Sequence, residues 1–113
     1  YHMTTTTAQA ANVLSHLEYY LQLVWPKLNV NVVSATEQWA GAAIAGPKSR
    51  IVLQKLFPDL DVSNEGLPFM GYVENHLFGV YARIYRISFS GELAYEVNVE
   101  SDNGNYMWEK IRI

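Results

Sequence analysis

Residues 95–100 read Tyr-Glu-Val-Asn-Val-Glu, the cleanest period-two pattern in the chain. Such a segment places Tyr95, Val97 and Val99 on one face and Glu96, Asn98 and Glu100 on the other, so one face must meet a core. Upstream, Val80 to Phe89 is an extended run rich in Tyr, Ile and Phe, and it breaks at Ser90-Gly91. Two extended runs separated by a glycine break predict a mainly antiparallel sheet. The break also carries a carboxylate, Glu92, directly after the glycine.

The rest of the chain supplies helices for that sheet. Thr6-x-x-Gln9 has the pattern of a capping box, with Thr6 as N-cap and Gln9 three residues on. Behind it, Val13, Leu14, Leu17, Leu21 and Val24 recur at helical spacing, and Trp25-Pro26 stops the run, so a helix is predicted over 7–25. Leu28-Asn-Val-Asn-Val-Val33 alternates and predicts a half-buried strand. Trp39 to Gly46 is small and apolar on both faces and predicts a central strand, paired antiparallel with 28–33 through Ala35 to Gln38. Gly46-Pro47 opens a second helix with Pro47 at its first position, and Val52, Leu53, Leu56 and Phe57 form its buried side. Residues 58–68 read as loop and Phe69–Val73 as a short strand; Asp102 is placed to cap a last helix over 106–113. The order α-β-β-α-(β)-β-β-α is an α+β layer architecture with two to three helices on a mainly antiparallel sheet.

Composition narrows the function classes. With 113 residues the chain is sized for a single domain. A net charge of −3 with scattered basic residues argues against nucleic acid as a partner, which needs a clustered basic face. There is no cysteine, which removes disulfides, thiolate metal sites and cysteine nucleophiles. His2, His16 and His76 lack metal-ligand spacing. No apolar run has the length of a membrane span and no signal peptide is visible, so a cytoplasmic protein is expected. Tyr1-His2-Met3 runs straight into structured-looking chain and YMWEKIRI reads as a helix stopping early, so a segment truncated at both ends is expected.

Several motifs fail as chemistry. Gly46-Pro47-Lys48-Ser49 lacks the earlier glycine and the spacing of a phosphate-binding loop. Ser15 and His16 are adjacent on a helix and point about 100° apart, so they form no nucleophile–base pair. Glu18 and Tyr19 read as a solvated helix edge. Thr36-Glu37-Gln38-Trp39 reads either as a turn with Trp39 anchored in the core or as a contact surface for another domain.

Glu92 is the candidate that remains. A strand-end carboxylate is ordinarily solvated. This one follows Gly91, which permits close approach of a ligand to the backbone, and it has Tyr85, Phe89 and Tyr95 nearby in sequence to wall a flat apolar pocket. A carboxylate in such a slot matches a planar amidine-like edge, because its two oxygens accept two parallel N–H bonds. Pterins, purines and guanidines all offer that edge.

The block RISFSGELAYE, residues 86–96, together with ATEQWA, residues 35–40, resembles the aminomethyltransferase (glycine-cleavage T-protein) superfamily. Within it, MTTTTAQAANVL, LQLVWPKLNVNVVSATEQWAGAAIAGPKSRIVL and DLDVSNEGLPFM extend the resemblance to the α-subunit family of heterotetrameric sarcosine oxidases over almost the whole chain. The resemblance implies a T-protein-type folate-binding fold. It implies that Glu92 binds the pterin edge of tetrahydrofolate and that Tyr85 lines the same pocket. It puts the catalytic Asp before Thr4 and a pterin-side Arg after Ile113, so no catalytic residue is expected in this segment. It implies FAD, FMN and NAD elsewhere in a parent complex, with the other subunits of that complex as partners; no G-x-G-x-x-G run occurs here. Two other readings stay open. One is a folate-binding iron–sulfur assembly type, which carries a Lys-Gly-Cys motif. The other is a subunit-contact scaffold, suggested where Ser88-Phe89-Ser90 replaces the commoner Gly-Tyr-Thr.

Overall fold

The computed structural model describes residues 1–112. It divides into two compact units, Tyr1–Thr36 and Glu37–Ile113, the second described as far as Arg112.

In the first unit a 3₁₀ turn, Thr7–Gln9, leads into α1, Ala10–Tyr19, which widens into a π-helical turn, Tyr20–Val24. The helix predicted over 7–25 is present with three hydrogen-bond patterns. The π turn has a local cause. It carries the Trp25 N–H to the Tyr20 carbonyl, 2.6 Å away, and sets the Trp25 ring 4.7 Å from Tyr20. Tyr20 also meets His16 at 4.8 Å, so three rings stack along one side. Pro26 then lacks the N–H to continue. The capping box does not form. Gln9 gives its N–H to the Thr6 carbonyl at 2.9 Å, closing the 3₁₀ turn, and its side-chain oxygen accepts from Asn12 at 2.8 Å. Both groups a capping box needs are taken. Residues 28–33 form no strand, and Leu28, Val30 and Val33 are exposed. Alternation makes a strand only where the backbone finds a ladder, and the expected partner, β1 (Trp39–Ala45), pairs with another strand.

The second unit runs β1, α2 (Ser49–Leu56), β2 (Tyr72–Leu77), β3 (Val80–Tyr85), β4 (Ala94–Glu100) and α3 (Gly104–Ile111). The four strands form one antiparallel sheet in the order β1-β4-β3-β2. The α+β architecture is therefore as predicted, with β1 at an edge rather than in the centre. The centre goes to β4, whose Tyr95, Val97 and Val99 have no exposed surface. The small residues of β1 serve a helix instead. A Cβ on Gly104 would come within 2.8 Å of the Ala40 Cβ, so α3 approaches β1 as closely as glycine and alanine permit.

Core residues occupy one face of the sheet. Ile44, Tyr95, Val97, Val99, Ala82, Ile84 and Leu77 meet Leu53, Leu56 and Phe57 from α2 and its end, and Met107 from α3. The predicted buried side of α2 is in place, but the helix starts at Ser49. Gly46, at φ +114°, turns the chain, and Pro47 lies inside that turn. The Leu93 carbonyl accepts from both the Gly46 N–H, at 2.9 Å, and the Ser49 hydroxyl, at 3.0 Å, fixing the start of α2 to the start of β4. β2 starts at Tyr72, later than predicted, because Met70 sits at φ +64°. It then runs on through Glu74-Asn75-His76, where an inward-facing Asn75 blurs the alternation. Phe78 and Gly79, at φ +48° and +93°, close a two-residue hairpin whose twist matches the strands. Asp102 lies in a short 3₁₀ turn and makes no side-chain cap, and α3 begins at Gly104; the last residue of the helix predicted over 106–113, Ile113, lies outside the described residues.

The Tyr95 hydroxyl is buried without a hydrogen-bond partner. Phenylalanine keeps the ring and removes the orphaned group. Tyr95→Phe is expected to stabilise the chain by about 1 kcal/mol in urea unfolding. A loss of stability of that size would show that the hydroxyl has a partner in solution.

Candidate functional site

The connection between β3 and β4, residues 86–93, is built on local hydrogen bonds. Gly91 takes φ +88°, a conformation that side chains other than glycine's rarely adopt. Its N–H donates to the Ser88 hydroxyl at 2.8 Å. The Ser90 hydroxyl donates to Oε1 of Glu92, also at 2.8 Å. The two serines therefore have separate tasks: Ser88 holds the turn, and Ser90 orients the carboxylate. Glu92 is exposed, and among the described residues its Oε2 accepts no hydrogen bond. The arrangement is a charged acceptor fixed at one oxygen and open at the other.

The aromatic residues expected around it part company. Tyr95 lies on the core face, opposite Ile44 of β1, and is fully buried. Phe89 projects wholly into solvent. Tyr85, the last residue of β3, pairs with Glu96 of β4 and so lies on the opposite face from Tyr95. A slot walled by all three rings is thus not formed, because neighbouring positions of paired strands alternate between faces. Tyr85 and Glu92 lie at either end of the same connection, Tyr85 half-buried and Glu92 exposed.

Tyr85 belongs to a polar and aromatic platform on the face away from the core. Its ring lies 5.0 Å from Tyr72 on β2. The next pair along is Arg83 and Glu74, then Tyr81 and His76. The Arg83 guanidinium sits 3.9 Å over the Trp39 ring, and its Nε donates to the Tyr81 hydroxyl at 3.3 Å. Trp39 is half-buried against Arg83, on the opposite face of the sheet from the core. Tyr72 donates its hydroxyl to Glu74. That bond, with a second from Tyr81, holds Glu74 below the usual carboxylate range, while burial and then Glu74 push the Tyr72 phenol up. Burial also raises Tyr85, against the opposing charge of Arg83. Sequence reasoning missed Arg83. The signal was present in Tyr81-Ala-Arg-Ile-Tyr85, where every second residue is polar or aromatic and shares one face.

Two hollows lie elsewhere, along β1 and the start of α3, and neither includes Glu92 or Tyr85.

Comparison with known proteins bears on this site. The chain is 52% identical over 104 residues to sarcosine oxidase subunit alpha of Rhizobium meliloti (strain 1021), which covers 90% of the chain and 10% of that protein. It is 51% identical over 110 residues to the protein of the same name from Corynebacterium sp. (strain P-1), covering 96% of the chain and 11% of that protein. Aminomethyltransferase of Bacillus subtilis (strain 168) is 34% identical over 93 residues, covering 79% of the chain and 25% of that protein. The chain thus spans about a tenth of the length of the sarcosine oxidase subunits it matches. The family model for the GCVT N-terminal domain matches residues 1–112, and the chain belongs to that family.

Proposed function

We propose that this chain is the folate-binding segment of a sarcosine oxidase α subunit, with Glu92 receiving the pterin edge of tetrahydrofolate and Tyr85 lining the same site. The observation that carries the reading is the Glu92 carboxylate, held at Oε1 by Ser90 and open at Oε2, on a turn fixed by Gly91 and Ser88. A carboxylate so presented accepts parallel N–H bonds from a planar amidine-like edge. The motif Gly91-Glu92 with Tyr85 seven residues earlier stands in a chain 52% identical to a protein named sarcosine oxidase subunit alpha.

In the parent enzyme, which we place in the cytoplasm, sarcosine loses a hydride from its methyl group to a flavin bound outside this segment, leaving an iminium. Oxygen reoxidises the flavin and is reduced to hydrogen peroxide. Tetrahydrofolate takes the one-carbon unit from the iminium, giving glycine and 5,10-methylenetetrahydrofolate. The part of this chain is recognition: Glu92 fixes the orientation of the pterin and Tyr85 gives it an apolar wall. FAD, FMN, NAD and the other subunits belong to the parent complex, outside this segment.

The experiment is a formaldehyde assay on the full-length parent. Formaldehyde release from sarcosine is expected to fall when tetrahydrofolate is added, because folate traps the one-carbon unit. Equal release with and without folate would favour the scaffold reading, which the position of both hollows away from Glu92 also supports. The absence of cysteine weighs against the iron–sulfur assembly reading.

A further inference from the structure

β1 leaves one side of its backbone unpaired. The Gly46 N–H bonds to the Leu93 carbonyl at 2.9 Å, in line with the pairing of Ala45 with Ala94, so the hydrogen-bonded positions of β1 are the even-numbered ones. Gly41, Ala43 and Ala45 therefore direct their N–H and C=O groups away from β4, and all three residues are exposed. Native edges are ordinarily protected by a charge, a proline or a bulge. The seven residues of β1, Trp-Ala-Gly-Ala-Ala-Ile-Ala, contain neither charge nor proline, and their register with β4 runs without a bulge. A groove of about 590 Å³ follows this edge, bounded on the helix side by Asp102, Asn105 and Trp108.

The charges at the two ends of the strand differ. Beside Trp39, a hollow is lined by Glu37, Glu100 and Asp102, with no Lys or Arg among its lining residues. Past Ala45, the first charged residue is Lys48, which is exposed. An antiparallel neighbour suited to this edge is a strand of small residues whose C-terminal end carries a cation next to the acidic hollow. β1 of a second copy has that chemistry.

We propose that two copies of this chain pair through β1, antiparallel about a two-fold axis at Ala42, to give one continuous sheet. In that register Gly41 meets Ala43 of the second copy, the outward-facing backbone groups meet one another, and no side chain larger than alanine stands at the centre. Trp39 lies opposite Ala45 of the second copy, which carries Lys48 of that copy toward Glu37. The symmetry makes this charge contact twice. A single strand pair is a small interface, so the dimer is weak and salt-sensitive.

The test is sedimentation equilibrium of the 113-residue chain from micromolar to millimolar concentration. A monomer–dimer equilibrium that weakens with salt is expected. Ala43→Pro removes an outward N–H without taking a bond from the β4 ladder, and it is expected to abolish the dimer. Lys48→Glu is expected to weaken it about fivefold or more, and Glu37→Lys added to Lys48→Glu to restore it. A chain that stays monomeric at millimolar concentration overturns the proposal. So does a dimer indifferent to Lys48→Glu, a result that decides the matter even if Ala43→Pro disturbs the fold. None of these outcomes depends on folate binding.

Discussion

Glu92→Gln in the full-length parent enzyme is expected to weaken tetrahydrofolate binding about 10- to 100-fold, the range for losing a hydrogen bond to a charged group. The amide keeps the size of the side chain and one carbonyl acceptor, but it replaces the other acceptor by a donor that faces the donors of the pterin edge. Stability should not move with it, since Glu92 is exposed and touches only Ser90 among the described hydrogen bonds. Ser90→Ala should cost less than Glu92→Gln, because the serine orients the carboxylate without supplying the acceptor. Calorimetry on both variants separates the two roles. Unchanged affinity in Glu92→Gln would remove Glu92 from the site.

Phe57→Ala is expected to destabilise the chain by about 3–5 kcal/mol, the usual cost of emptying a buried aromatic position. Phe57 is 1% exposed and closes α2 at the point where Leu53, Leu56 and Leu67 converge with the sheet residues in one cluster. Its N–H bonds to the Leu53 carbonyl at 2.9 Å, and Gln54 bonds to its carbonyl and those of Pro58 and Leu60, so the backbone around it is held and collapses little. Against a total stability of about 5–15 kcal/mol, such a loss leaves a substantially unfolded population. Urea unfolding of the purified chain checks it, and a loss under about 1 kcal/mol would show that the site refills.

What the sequence revealed depended on whether a pattern was enforced by burial. β4 was legible because Tyr95, Val97 and Val99 all enter the core, and α2 because Leu53, Leu56 and Phe57 do. The pattern of 28–33 is as regular, yet no ladder receives it, and periodicity contains no information about a partner. β1 misled for a related reason. Small residues on both faces suggested layers on both sides, whereas Ala40 is small for the approach of Gly104 and Gly41 and Ala43 are simply exposed. At the candidate site, the exposed Gly-Glu turn could be read from residues 90–92, but the sides taken by Tyr85 and Tyr95 could not. They follow from strand register, which the eight-residue connection 86–93 sets, and that length was not evident before β3 was seen to end at Tyr85. The substitution of Ser88 and Ser90 for Gly and Thr of the commoner motif looked like a weakening. In the structure both hydroxyls hold the turn that presents Glu92.

The most direct measurement is a crystal structure of the full-length parent with tetrahydrofolate bound. The account requires Glu92 within hydrogen-bond distance of the pterin N–H groups, about 2.7–3.2 Å, with Ser90 still on its other oxygen. A pterin bound elsewhere while Glu92 faces solvent would contradict it.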